Sequence, residues 1–196
     1  RLYKMRQYSR YGLAFLVLML LTTAVLGQSS TIPTQEKQRS AAVSPAPENL
    51  RNDAKVLGYN SDGELITIRE GSNQLVCVAD NPEQDNFHVA CYHSDLAAFM
   101  ERGRTLRAEG MSREEVDSLR REEIESGKIP MPRKPMALYS LTGSADAYNY
   151  ETEQVVNASP MYVIYVPYET QQSTGLPAKP SSKGAPWLME PGTPWA

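Results

Sequence analysis

Cys77 and Cys91 are the only cysteines in the chain, and His88 and His93 are its only histidines. The residue types most able to bind a metal, attack a carbonyl or move a proton are therefore crowded into one short stretch. Three chemistries need weighing there. A redox or metal-binding thiol pair wants Cys-x-x-Cys spacing, and thirteen residues separate these two. Residues five apart on a regular strand point to opposite faces, so His88 and His93 could share an ion only if the strand broke near Tyr92, and no metal site is expected. A general base built from His88 or His93 with Asp95, near Ser140 or Ser144 as nucleophile, has the right residue types but no motif behind it.

The third chemistry is a disulfide. If Cys77 faces Cys91 across a hairpin, then Leu75, Cys77 and Ala79 share a face with Phe87, Val89 and Cys91. All six are apolar, as a correct register requires. A bridge closing a loop of this size stabilises by roughly 3 kcal/mol. Other catalytic signatures are absent. There is no Gly-x-Ser-x-Gly, no Ser-x-x-Lys, no His-Glu-x-x-His, no phosphate-cradling glycine loop and no dinucleotide fingerprint, so no cofactor is expected.

The compartment follows from the N-terminus. Arg1, Lys4, Arg6 and Arg10 precede an apolar run from Gly12 to Leu26, and Gly27-Gln28-Ser29 turns polar. These are the parts of a secretory signal peptide over 1–27, with the cut expected after Gly27. The run is short for a membrane span, which wants about 20 apolar residues. The membrane is expected to matter only through this segment, if it stays uncleaved. Removing it takes away four basic residues and no acid, so the net charge moves from −3 to −7. A domain so acidic has no electrostatic reason to hold nucleic acid. The expected location is secreted or periplasmic, where an isolated cysteine pair oxidises.

The elements that position these residues read as an α+β domain over 54–174. Residues 28–53 contain three prolines and no aromatic residue, which predicts a disordered linker. Four strands are expected next, over 55–59, 64–70, 74–79 and 87–92, forming an antiparallel meander because the links are short. Asn60-Ser61-Asp62-Gly63 is the first turn. An αα-hairpin is expected before the last strands. Its first helix, capped by Ser94, carries a stripe of Leu96, Phe99, Met100, Gly103 and Leu106. Its second opens on a capping box, Ser112 with Glu115, and is mostly solvated. Residues 136–141 and 161–166 read as strands. The latter is apolar on both faces and so is expected to be central or well covered. The polar stretch 142–157 reads as a loop.

Residues 175–196 hold five prolines and both tryptophans, Trp187 and Trp195. They are expected to pack over the domain and seal a sheet edge; the other reading makes the tryptophans a partner surface. Taken together, the residues imply an exported, non-enzymatic binding or structural module with an envelope or extracellular partner. A small secreted hydrolase with a histidine-based site is the alternative.

Overall fold

The computed structural model describes residues 32–196. The expected signal peptide over 1–27 lies outside the described residues. The fold is α+β, with a mixed six-stranded sheet, a separate two-stranded ribbon and helices on both faces of the sheet.

The chain enters through α1 (Gln35–Val43) and the single turn α2 (Glu48–Arg51). This corrects the linker expected over 28–53, at least from residue 32 onward. Thr34 caps α1 by accepting the N–H of Lys37, and the buried face is built of Ala41, Ala42 and Gln38. Alanines let the helix axis approach the sheet closely, and Ala42 O lies 3.3 Å from Cys91 Sγ. Gln38 is buried with its amide satisfied. Its Nε2 donates to Pro33 O and Tyr59 O, and its Oε1 accepts Tyr59 N–H at 2.7 Å. A buried amide paired at both ends removes the cost of burial. The helix sits so close that a Cβ on Gly58 would meet Gln38 Oε1 at 2.7 Å.

Four strands follow: β1 (Lys55–Tyr59), β2 (Leu65–Arg69), β3 (Leu75–Val78) and β4 (Asn86–His93). They are not the antiparallel meander expected. β1 and β2 form a hairpin, but β3 lies on the other side of β1 and runs parallel to it. The link 70–74 therefore crosses the start of β1. Gly71 permits the crossing, because a Cβ there would stand 2.2 Å from Lys55 N. Ser72 N–H and Asn73 N–H both donate to Asp53 O, which pins the link in place.

β4 is preceded by β3 in the register that the sequence implies: Cys77 faces Cys91 and Val78 faces Ala90. All six residues of the proposed face, Leu75, Cys77, Ala79, Phe87, Val89 and Cys91, are buried. A 3₁₀ turn (Ser94–Leu96) leads into α3 (Ala97–Ala108), and α4 (Arg113–Glu125) returns beside it. Ser94 is not the cap. Its Oγ donates to Gln74, and His93 caps the turn by accepting Asp95 N–H on Nδ1. The stripe on α3 is buried as expected at Leu96, Phe99, Gly103 and Leu106, and the Ser112–Glu115 capping box opens α4.

The sheet is completed by β5 (Met136–Ser144) and β8 (Ala158–Tyr165), giving the order β2-β1-β3-β4-β5-β8. Between them, β6 (Tyr148–Asn149) and β7 (Gln154–Val155) form the ribbon inside the expected loop 142–157. Tyr148 folds back onto the sheet, its ring stacked on Phe87 at 5.6 Å. β8 is an edge strand, not the central one expected. Pro160 lies within it, opposite Leu141, and proline is tolerated in a sheet at an edge, where its missing N–H is not needed.

Two cores result. On one face, α1 covers β1, β3 and β4 around the cysteine pair. On the other, α3 and α4 cover Val76, Tyr92, Met136 and Leu138. After α5 (Gln171–Thr174) the chain ends in a segment that returns to the helical side.

Candidate functional site

Cys77 and Cys91 form a disulfide with their Cα atoms 4.0 Å apart. That is slightly closer than the usual 4.4–6.8 Å range, as suits two residues directly opposite on neighbouring strands. Both are fully buried under α1, so the bridge is a structural staple in this fold. A disulfide of this kind is compatible with an oxidising compartment. Among the described residues no helix is long and apolar enough to cross a membrane.

His88 is the third residue of β4 and His93 its last, about 17 Å apart along the strand and on opposite faces of it. His88 is exposed, and its Nδ1 lies 2.8 Å from Thr142 Oγ1 on β5. Its pKa is lowered, first by desolvation against the sheet and then by the charge of Arg107. The nearest acid, Asp80, binds the backbone rather than the ring: Oδ1 accepts His88 N–H at 2.8 Å. The candidate nucleophiles lie elsewhere. Ser140 is buried with its Oγ against Met161 O, and Ser144 Oγ meets Asp146. Imidazole, hydroxyl and carboxylate are thus neighbours around His88, but not in the order that a relay of protons requires.

His93 uses Nδ1 on Asp95 N–H, and Asp95 Oδ2 is 4.0 Å from that nitrogen. Lys134 pairs with the same carboxylate and holds the Asp95 pKa below its ordinary value. His93 and Asp95 therefore terminate a strand and start a helix, and Lys134 ties in the connector that follows α4. Among the described residues no group of three or more potential ligands is placed to hold a metal.

A different surface offers more. Across β5 and β8, on the face that α1 leaves open, Tyr139 and Tyr162 pack edge to face at 6.0 Å. They form one wall of a shallow groove of about 290 Å³, whose other wall is Ser44 to Glu48 with Arg51. That wall is held rigid. Arg51 donates from Nε to Ala46 O and from Nη2 to Ser44 O, which spans the Pro45-Ala46-Pro47 turn. Beside the groove the edge strand exposes Tyr162 at 68% and Ile164 at 66%. No charged residue occurs between Glu153 and Glu169. Proteins usually blunt an open strand edge with lysine, other charges or proline, and here only Pro160 does so. Pro160 inside an apolar run was the sequence signal for this edge. A strand started after Pro160, at residue 161, leaves only the apolar run and hides that edge signal.

The tryptophans part company. Trp195 is packed, its ring edge-on to Phe99 at 5.3 Å with the Arg121 guanidinium over it at 4.8 Å. Trp187 is exposed at 40% beside Met189. The tail does not run along the edge of β8. Its hydrogen bonds fall past the strand's end, where Val166 N–H donates to Ala196 O and Tyr168 N–H to Thr193 O. No protein-family model matches the chain, and no curated protein or solved structure matches it.

Proposed function

We propose that this chain is an exported binding module whose recognition face is the edge of β8 with the tyrosine–proline groove beside it. The carrying observation is the edge itself. An eight-residue strand ends the sheet with exposed tyrosine and isoleucine, no charge, and a preformed aromatic groove within reach. An extended segment of a partner protein fits this chemistry. Its backbone adds a strand to the open edge, and one side chain enters the groove for specificity. The disulfide and the basic-then-apolar N-terminus support a secreted or periplasmic location, where the partner is an envelope or extracellular protein. The hydrolase reading rests on the His88–Thr142 contact alone.

The test is selection of peptides from a displayed random library on the full chain, repeated on I164K and Y162K. Both side chains are largely exposed, so melting should be unchanged. Peptides of alternating apolar character should bind the parent and lose at least tenfold in affinity for either variant. A selection that yields the same peptides with equal affinity for all three proteins places recognition elsewhere.

A further inference from the structure

On the opposite face of the sheet, α3 and α4 bring three arginines together with little to neutralise them. Arg104 and Arg107 lie one turn apart on α3, and Arg120 reaches in from α4. Gly103 makes the approach feasible. The point where its Cβ would stand is 2.9 Å from Arg120 Nη1 and 3.4 Å from Arg107 Nη1, so the two nitrogens are at most 6.3 Å apart. Arg120 is 8% exposed. Its guanidinium lies over the Phe99 ring at 4.0 Å, and its Nη2 donates to Asp117 at 2.6 Å. Its Nε is buried with no hydrogen-bond partner.

The charges do not balance. Asp117 faces Arg120 and shares itself with Arg113. Among the described residues Arg104 donates to the Tyr92 hydroxyl, at 3.1 Å, and to no acid. Arg107 has no ion pair or hydrogen bond among the described residues. From the sheet the facing groups are Tyr92 and Tyr59 for Arg104, His88 for Arg107 and Tyr165 for Arg120. The other acids of α3 are turned to other work or to solvent: Glu101 is exposed, and Glu109 acts on Arg102. Burial weighs first against the Arg107 charge, Arg120 and Arg104 add to the effect, and Asp117 offsets part of it. Three guanidinium groups held near one another with a single carboxylate, Asp117, between them cost stability, and a bound anion reduces that cost. Their planar donor forks match the oxygens of a tetrahedral anion.

We propose that Arg104, Arg107 and Arg120 form a binding site for a dianionic tetrahedral oxyanion, a phosphate or sulfate group either free or carried as a monoester. Arg120 is the fixed floor of the site, clamped by Phe99 and Asp117. Arg107, exposed at the rim, is the arm that closes on the ligand. The site lies on the opposite face from the tyrosine–proline groove and stands independently of it.

The experiment titrates the ¹⁵N-labelled full chain with sodium phosphate, sodium sulfate and glycerol 3-phosphate, each against sodium chloride at matched ionic strength. The arginine Nε–Hε signals are followed. Saturable shifts of Arg107 and Arg120 are expected with the oxyanions and not with chloride. R107Q removes an exposed, unpaired side chain and should weaken binding about tenfold, the loss of one charge-assisted contact. R133Q, whose guanidinium lies over Tyr168 at 4.1 Å, should bind as the parent does. Tighter binding of glycerol 3-phosphate than of phosphate identifies a carried group, and the reverse a free ion. Shifts that match those in chloride, or equal binding by R107Q, overturn the proposal.

Discussion

The carboxyl of Asp80 sits at the start of the link between β3 and β4, where burial outweighs the hydrogen bonds it accepts and pushes its pKa up to about 6 from 3.8. Tyr59 and Tyr150 stand near it, and their own hydroxyls are raised by burial. The sign of the linkage follows. The native protein holds the Asp80 proton more tightly than the unfolded chain does. Stability from this residue is therefore greatest at and below about pH 4 and is lost as pH rises to about 6. D80N keeps an oxygen to accept His88 N–H but has no charge to desolvate. The melting temperature of D80N minus that of the parent should be near zero at pH 4, grow through pH 6 and level off by pH 7. Taking the difference largely cancels His88, whose lowered pKa works in the opposite direction, with stability lost as pH falls through its range. A difference that is flat across pH 4–7 would show that Asp80 is solvated in solution.

At the scale of elements, α1 carries the sharpest test of the packing. Ala42 is fully buried against the disulfide, so A42L should overpack the site and cost about 1–3 kcal/mol in urea unfolding. A tether over the same residues would tolerate leucine without change. That contrast also explains what the sequence left hidden. Alanine and glutamine look like surface residues, and a helix whose buried face is Gln38, Ala41 and Ala42 gives no apolar stripe to detect. The β3–β4 register was legible because alternation and cysteine spacing agreed. The helical pair was legible because the apolar period of α3 and the Ser112–Glu115 capping box of α4 are both local signals, although the cap expected at Ser94 falls to His93. The parallel pairing of β1 with β3 was not, since Gly71 signals a turn and says nothing of which side the next strand takes. The ribbon β6–β7 has two residues per strand, too short for any period. Of the candidate site, the alternation of β4 was enough to put His88 and His93 on opposite faces, whereas the groove draws on Pro45 and Tyr162, far apart in sequence and joined only by the fold.

For the whole molecule the question is what the last residues contribute. Trp195 lies against Phe99, Arg120 and Arg121, and Ala196 and Leu188 are buried. Glu190 pairs with Arg121 at 2.8 Å, and Gly192 N–H donates to Glu169 O. The tail thus bolts the loop after β8 to α4 through Arg121 and to α3 through Phe99. Proline supports this role, because a chain with fixed φ loses less entropy when ordered. Removing residues 187–196 exposes the Phe99 ring and leaves Arg120 and Arg121 without the indole face. A loss of about 2–3 kcal/mol is a fair measure of one buried large side chain. At roughly 2–4 °C per kcal/mol for a chain of this size, the truncated protein should melt about 4–12 °C lower. W195A alone should account for most of that loss, and W187A, whose ring is exposed, for little. If truncation leaves melting unchanged while peptide binding disappears, the tail belongs to the recognition surface and the packing of Trp195 is not what orders it.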